Sequence, residues 1–244
     1  MRIPRLYVDT QLAVGKCIAL TERHAKHLIN VLRMNAGAQL CLFNGLGGEY
    51  QAVIQHVMRN EISVEITDFM DSHRESPLQV TLIQGISRSD KMDLTIRKAV
   101  ELGVYKILAV QTRRSVVRLN SARSEKKLTH WREIIISACE QCGRNYVPEL
   151  SLPHSLEDAL SVIPTNGVGI CMDPGADKTL NSIEPPLDQV FLIAGPEGGF
   201  SPDEKNLIEK AGVQNISLGP RILRTETAAL AAISVIQILW GDFR

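Results

Sequence analysis

The sequence predicts two domains: a small β-rich barrel at the N-terminus and, after it, an α/β domain built on a largely parallel sheet. Three observations lead there. The first seventy or so residues are short β-branched or alternating runs. A polar stretch ending in proline, "MDSHRESP" from Met70 to Pro77, then reads as a boundary. Beyond it, apolar strands alternate with helices, the grammar of a sheet covered by helices. The domains are therefore taken as residues 1–72 and 73–244.

In chain order, "RLYVD", "KCIAL", "AQLCLFN", "EYQAVIQHV" and "EISVEITDF" are the expected barrel strands. "FNGLGGEYQ" reads as a hairpin with Gly45, Gly47 and Gly48 in its turn. One amphipathic helix interrupts the strands, from Glu22 to about Met34, with Leu28, Val31 and Leu32 facing inward. In the second domain "VTLIQGI" is a strand and "DKMDLTIRKAVELG" a helix closed by Gly103. Strand "KILAVQ", the long helix "SEKKLTHWREIIISACEQCG", helix "SLEDALSVI" and strand "GVGICMD" come next. Strand "QVFLIAG", helix "SPDEKNLIEKAG" and strand "NISLG" follow, and a last helix runs from about Thr225 to Trp240. Ser201, Pro202 and Glu204 make a capping box with proline at the first helical position. Thr227–Trp240 is the most apolar run. Ser234 and Gln237 break it and it is too short to span a bilayer, so a buried core helix is expected.

The chain is formally neutral, with 27 basic and 27 acidic residues, and its 44% hydrophobic and 22% charged content is that of a soluble globular protein. The opening "MRIPRLYVDTQ" lacks the apolar run of a secretory signal. Five scattered cysteines argue against a disulfide framework and for a reducing cytoplasm. The charge is segregated. Val80–Arg144 holds 13 basic and 6 acidic residues, a net of +7, and Asn145–Pro220 holds 3 and 11, a net of −8. Such a chain can present a basic face to a polyanion, unless the charges interleave in space.

Two Gly/Pro turns leave apolar strands close together, in "FLIAGPEGGFSPDE" (Phe191–Glu204) and "ISLGPRILRTETAAL" (Ile216–Leu230). Turns of this kind bring backbone donors and acceptors close to a ligand. Neither turn is G-x-x-x-x-G-K-[ST] or G-x-G-x-x-G, and no acidic residue stands where a dinucleotide fold needs one. A ligand with an adenine and no phosphates, such as S-adenosylmethionine, fits better than a nucleotide. On spacing alone, plain tight turns fit as well.

"GPEGGFSPDE" and "LGPRILRTETA", together with "QGISRSDKMDLTIRKAVELGV" and "EQCGR", resemble the motifs of the ribosomal small-subunit methyltransferase E family, within the SPOUT methyltransferases. The resemblance runs over nearly the whole chain. It implies a PUA-like RNA-binding barrel followed by a SPOUT domain with a C-terminal trefoil knot. It also implies a homodimer that transfers a methyl from S-adenosylmethionine to N3 of a uridine in 16S ribosomal RNA, alone or in the small subunit. The one departure is Cys142, where many relatives carry serine. Carried over by position, the cofactor should lie on Gly195, Pro196 and Gly199, on Leu218 and Gly219, and on Ile222, Leu223 and Thr225, with Met172 lining the same pocket.

Uridine N3–H is a weak acid, so the site must help remove its proton or stabilise the anion. Arg88, Lys91 or Arg224 could hold that negative charge, and Glu226 or Glu197 could take the proton. The plain alternatives are solvated charges for Arg88 and Lys91, and a salt bridge or a dipole-favoured helix start for Arg224 and Glu226. Arg113, Arg114 and Arg118 read as phosphate contacts. Arg144 is either an RNA contact or a helix C-terminal cap. Cys139 and Cys142 form a C-x-x-C without a second pair, so no zinc is expected, and no metal is expected of His24 and His27. Two rivals remain. A non-catalytic assembly factor would clamp RNA without binding S-adenosylmethionine, and an NAD oxidoreductase is disfavoured by the missing fingerprint.

Overall fold

The computed structural model describes residues 3–58, 61–119, 121–153 and 155–243. It divides into two compact units, Met1–Glu75 with Cys139–Val147, and Ser76–Ala138 with Pro148–Arg244.

The first unit is a five-stranded sheet of β1 (Arg5–Tyr7), β2 (Cys17–Ala19), β3 (Gln39–Phe43), β4 (Glu49–Met58) and β5 (Glu61–Met70). Its order is β1-β3-β4-β5-β2, with β1–β3 parallel and the other pairs antiparallel. Among the described residues, then, the edges β1 and β2 are not paired with each other as strands. Alternation along β5 sends Ile62, Val64 and Ile66 into a core with Leu28, Leu40, Leu42 and Ile54.

Helix α1 (Glu22–Lys26) starts at Thr21, whose hydroxyl accepts the His24 N–H at 3.4 Å. It continues as a π-helical turn, His27–Val31. That wider turn breaks the 3.6-residue spacing on which the sequence reading relied. Leu28 is fully buried as expected, but Val31 and Leu32 face outward, 66% and 38% exposed.

Cys139–Val147, left by the sequence reading in the second domain, packs with the first unit, and a buried polar network explains it. Arg5 pairs with Glu49 and donates to the carbonyls of Gly143 and Arg144 and, at 2.7 Å, to Asn145 Oδ1. The Asn145 side chain donates to the Ser72 carbonyl at 3.0 Å. Arg144 is only 5% exposed, and its guanidinium is held by both carboxylate oxygens of Glu75, with Nε 3.1 and 3.0 Å from them. Arg144 is buried while the Glu75 side chain is 24% exposed and can turn to water, so Arg144→Ala is expected to lower folding stability by about 2 kcal/mol through its lost charged hydrogen bonds. Denaturant unfolding measures this. A variant of wild-type stability would contradict a structural role.

The second unit holds six parallel strands, β6 (Gln79–Gly85), β7 (Lys106–Val110), β8 (Glu149–Ser151), β9 (Val168–Met172), β10 (Gln189–Ala194) and β11 (Gln214–Ile216), in the order β11-β9-β10-β6-β7-β8. The helices are α2 (Ser89–Glu101), α3 (Ser121–Cys142, whose last turn belongs to the first unit), α4 (Leu156–Ser161), α5 (Pro202–Lys210) and α6 (Thr225–Trp240). The three-residue β8 and a 3₁₀ turn at Leu180–Ser182 are too short to leave a periodic signal and were not expected. The capping box of α5 is present: Ser201 Oγ accepts the Glu204 N–H and Glu204 accepts the Ser201 N–H at 2.8 Å.

Helix α6 has the predicted bounds, but it is a core helix on one face only. Ala229, Ala232, Ile233 and Ile236 are buried, while Ile238 and Leu239 are 60% and 41% exposed. From β6 the chain moves to β7 and β8 on one side, then crosses to β9, β10 and β11 on the other. The boundary between β6 and β10 is thus the topological switch point, and a crevice opens beside it, beyond the carboxyl ends of β9, β10 and β11.

Candidate functional site

That crevice is a cavity of about 770 Å³ within the second unit, in the size range of small-molecule sites. Its floor is the apolar strand ends: Cys171 and Met172 from β9, Ala194 from β10 and Ile216 from β11. Its walls are the two Gly/Pro loops. Gly195, Pro196 and Gly199 stand on one side, and Leu218, Gly219, Ile222, Leu223 and Thr225 on the other, so every residue expected at the cofactor lines one cavity. Each loop turns through a glycine at positive φ, +65° at Gly199 and +75° at Gly219, a conformation costly for other residues.

The five charged candidates also meet here: Arg88, Lys91, Glu197, Arg224 and Glu226 all line the cavity. Arg88 is the N-cap residue of α2, and its backbone N–H donates to the Glu197 carboxylate at 2.9 Å. The first loop is thereby tied to the start of α2. Lys91, one turn on, forms an ion pair with the buried Glu226 at 2.7 Å. Burial would push the Glu226 carboxyl up, but the Lys91 hydrogen bond and the Lys91 and Arg224 charges outweigh it and hold it below the usual range. Glu226 is therefore ionised at neutral pH, able to accept a hydrogen bond and weak as a proton acceptor.

Four charged residues in the cavity were not expected: Asp90, Asp173, Lys205 and Arg221. Asp173 follows β9 and pairs with Lys205 of α5 at 2.6 Å, while accepting the Gly175 N–H at 3.0 Å. The Lys205 hydrogen bond leads the effects that hold its carboxyl low. Its signal was available, since an acid at the carboxyl end of a parallel strand stands where ligands bind. Lys205 gave none. Counting all lining residues, six cations face four anions. Lys91 and Lys205 are ion-paired, so the surplus positive charge rests on arginines.

The loop after β7 brings the basic segment to the same place. Arg114 lines the cavity and donates to the Gly198 carbonyl at 3.2 Å. Arg113 forms an exposed ion pair with Asp203, and its N–H donates to Glu204 at 2.7 Å. Arg118 Nη2 donates to the Arg113 carbonyl at 2.8 Å. Arg144 is not among these. The guanidinium it was to offer a phosphate is buried against Glu75. The C-x-x-C thiol of Cys139 is also buried, and burial pushes it up to about 12. Among the described residues no group of three His, Cys, Asp or Glu side chains could hold a metal ion.

The cavity suits a small organic ligand. Its floor is apolar, its walls are loop backbone, and the lysines near it are already paired. An adenine edge and a sulfonium chain ask for such surroundings.

Comparison with known proteins agrees. The RNA methyltransferase domain family matches residues 74–237, and the RNA methyltransferase PUA domain family matches residues 20–67. Ribosomal RNA small subunit methyltransferase E of Buchnera aphidicola is 36% identical over 99% of this chain and 98% of its own length. The protein of the same name in Bacillus subtilis is 32% identical over 95% of each. Ribosomal RNA small subunit methyltransferase E of Neisseria gonorrhoeae, solved bound to S-adenosylmethionine, matches all of both chains with a TM-score of 0.93 at 40% identity. A Legionella pneumophila structure, also with bound S-adenosylmethionine, matches with 0.94 at 39% identity.

Proposed function

The chain belongs to the ribosomal RNA small subunit methyltransferase E family, and from that premise we propose that it methylates N3 of a uridine in 16S ribosomal RNA, as a cytoplasmic homodimer. It is an S-adenosylmethionine-dependent ribosomal RNA methyltransferase. The observation that carries the finer reading is the cavity: two cofactor loops, an apolar floor and a rim of arginines beside one switch point.

Bound S-adenosylmethionine supplies an electrophilic methyl group. Gly195, Pro196, Gly199, Leu218, Gly219, Leu223 and Thr225 would hold it, with Met172 beneath and Ile222 at the rim. Uracil N3 must lose its proton to attack. Arg88 and Arg224 then stabilise the negative charge spread over the ring, with Lys91 supporting them while tethered to Glu226. Glu226 and Glu197 are the available proton acceptors. Because Glu226 is a weak one, electrostatic stabilisation by the cations carries more of the rate than proton removal by a strong base.

The two units divide the work. The β-rich unit grips RNA, and the α/β unit binds the cofactor and pairs with a second copy. The exposed apolar edge of α6, Ile238 and Leu239 with Phe243 just beyond, supports that pairing. We further propose that the C-terminal segment is threaded into a trefoil knot, which would hold the second loop against the first. The expected substrate is the small subunit or its RNA. Transfer of labelled methyl from S-adenosylmethionine should be faster to one of these than to unrelated RNA. Cofactor binding without transfer to either would point to an RNA-binding assembly factor instead.

Arg114 and Arg118 should act as phosphate contacts beside the cavity. Each alanine variant is expected to weaken binding to unrelated RNAs alike and to make the log–log salt slope shallower by about one unit. Arg113→Ala should do less, because Asp203 already neutralises it. Titration at several salt concentrations checks this, and unchanged slopes would remove these arginines from the RNA face.

A further inference from the structure

Gln84 is a fully buried polar residue at the carboxyl end of β6, and the reaction as described gives it no task. It lies beside Ala194 in the parallel pairing, level with the start of the first loop. It does not line the cavity. Its Nε2 is 3.0 Å from the Gly85 carbonyl, 3.1 Å from Thr225 Oγ1, and 3.4 and 3.5 Å from the carbonyls of Gly195 and Ala194. Three of those neighbours are carbonyl oxygens, which only accept. Exchanging the amide oxygen and nitrogen would aim oxygen at oxygen, so the orientation of the amide is fixed.

The direction of the next bond is fixed too. Thr225 has one hydroxyl proton and donates it to the Gly195 carbonyl. It must therefore accept from Gln84. A one-way relay results, from the Gln84 amide to the Thr225 hydroxyl to the Gly195 carbonyl. Its three members belong to β6, to the start of α6 behind the second loop, and to the first loop. Bonds in such a chain strengthen one another in a buried setting. The relay also lies where loop and strand are pressed together. A Cβ on Gly85 would fall 2.5 Å from Pro196 Cδ and 2.7 Å from Pro196 N.

We propose that Gln84 is a positioning residue for the methyl-donor site, binding the two cofactor loops into one preorganised wall through Thr225 and Gly195. This rests on the S-adenosylmethionine reading of the cavity and adds the residue that sets its shape from behind. Gln84 acts on the cofactor only through the loops. Losing it raises the KM for S-adenosylmethionine and spares both turnover at saturating cofactor and affinity for RNA.

The test uses the full-length protein with Gln84→Met, which keeps the length and removes both donors, Thr225→Val, which keeps the shape and removes the hydroxyl, their combination, and Thr225→Ser, which restores the hydroxyl. Calorimetry with S-adenosylmethionine and steady-state kinetics are read side by side. Gln84→Met and Thr225→Val should each weaken cofactor binding about tenfold. The double variant should be little worse than either single one, because both cut the same relay. Thr225→Ser should recover most of the affinity that Thr225→Val loses, and RNA affinity should change less than about twofold in all of them.

Wild-type cofactor affinity in Gln84→Met would overturn the assignment. So would additive losses, or a parallel fall of cofactor and RNA affinity. If Gln84→Met does not fold, Gln84→Leu, which also removes both donors, takes its place in the same comparison, and wild-type cofactor affinity there means the relay does not shape the site. A wild-type chain that binds no S-adenosylmethionine would overturn the underlying reading, an outcome separate from failure of the relay alone.

Discussion

Replacing Gly195 by valine is expected to lower S-adenosylmethionine affinity by about ten- to a hundredfold while leaving RNA affinity within about threefold. The reason lies in the loop itself. A Cβ at Gly195 would sit 3.3 Å from both Gly199 Cα and Phe200 Cε2, closer than most such contacts. Valine adds two methyl groups beyond that point. The loop must open, and the wall that presents backbone to the cofactor moves with it. Overpacking of this kind costs about 1–3 kcal/mol. The Gly195 carbonyl also accepts from Thr225, so the second loop is displaced with the first. Calorimetry with the cofactor and filter binding with RNA measure the two effects separately. Equal losses in both would mean general unfolding, and unchanged cofactor affinity would remove Gly195 from the site.

Arg88→Ala should lower single-turnover methyl transfer by about a hundredfold, with RNA affinity falling less than about threefold. The structure makes this a clean substitution. The Glu197 carboxylate holds the backbone N–H of Arg88, and alanine keeps that N–H. The start of α2 and the position of Lys91 are therefore preserved. What is lost is a guanidinium lining the cavity, and its interaction strengthens as negative charge develops on the uracil ring. If rate and affinity fall only in proportion, Arg88 is one more phosphate contact, and the electrostatic role passes to Lys91 or Arg224.

Features written in local sequence were legible before the structure. The capping box at Ser201 and Glu204 is a four-residue signal, and the structure has it. Helix α6 runs from Thr225 to Trp240 as read, because an apolar run ending at glycine leaves little choice. The loops were legible for the same reason, since Gly/Pro turns after buried strands are short-range patterns. What needed the fold was every partnership across long separations. Arg144 meets Glu75, 69 residues away, and its burial there is invisible in "EQCGR". Gln84 meets Thr225 across 141 residues.

Periodicity misled at Val31 and Leu32, because a π turn changes the pitch that the pattern assumes. Hydropathy misled on α6 in a different way. It reports that a helix is apolar and not what covers it, and here one face is left exposed.

The central claim is that this cavity directs methyl transfer to the N3 atom of a uridine. The most direct measurement is to incubate the protein with S-adenosylmethionine and small-subunit particles or 16S ribosomal RNA, digest the RNA to nucleosides, and identify the methylated product by mass spectrometry against standards. 3-Methyluridine, strongly reduced when the Arg88→Ala protein, or at sub-saturating cofactor the Gly195→Val protein, replaces the wild type for the same short time, is the predicted result. A methyl group on carbon 5, on a ribose oxygen or on another base would contradict it.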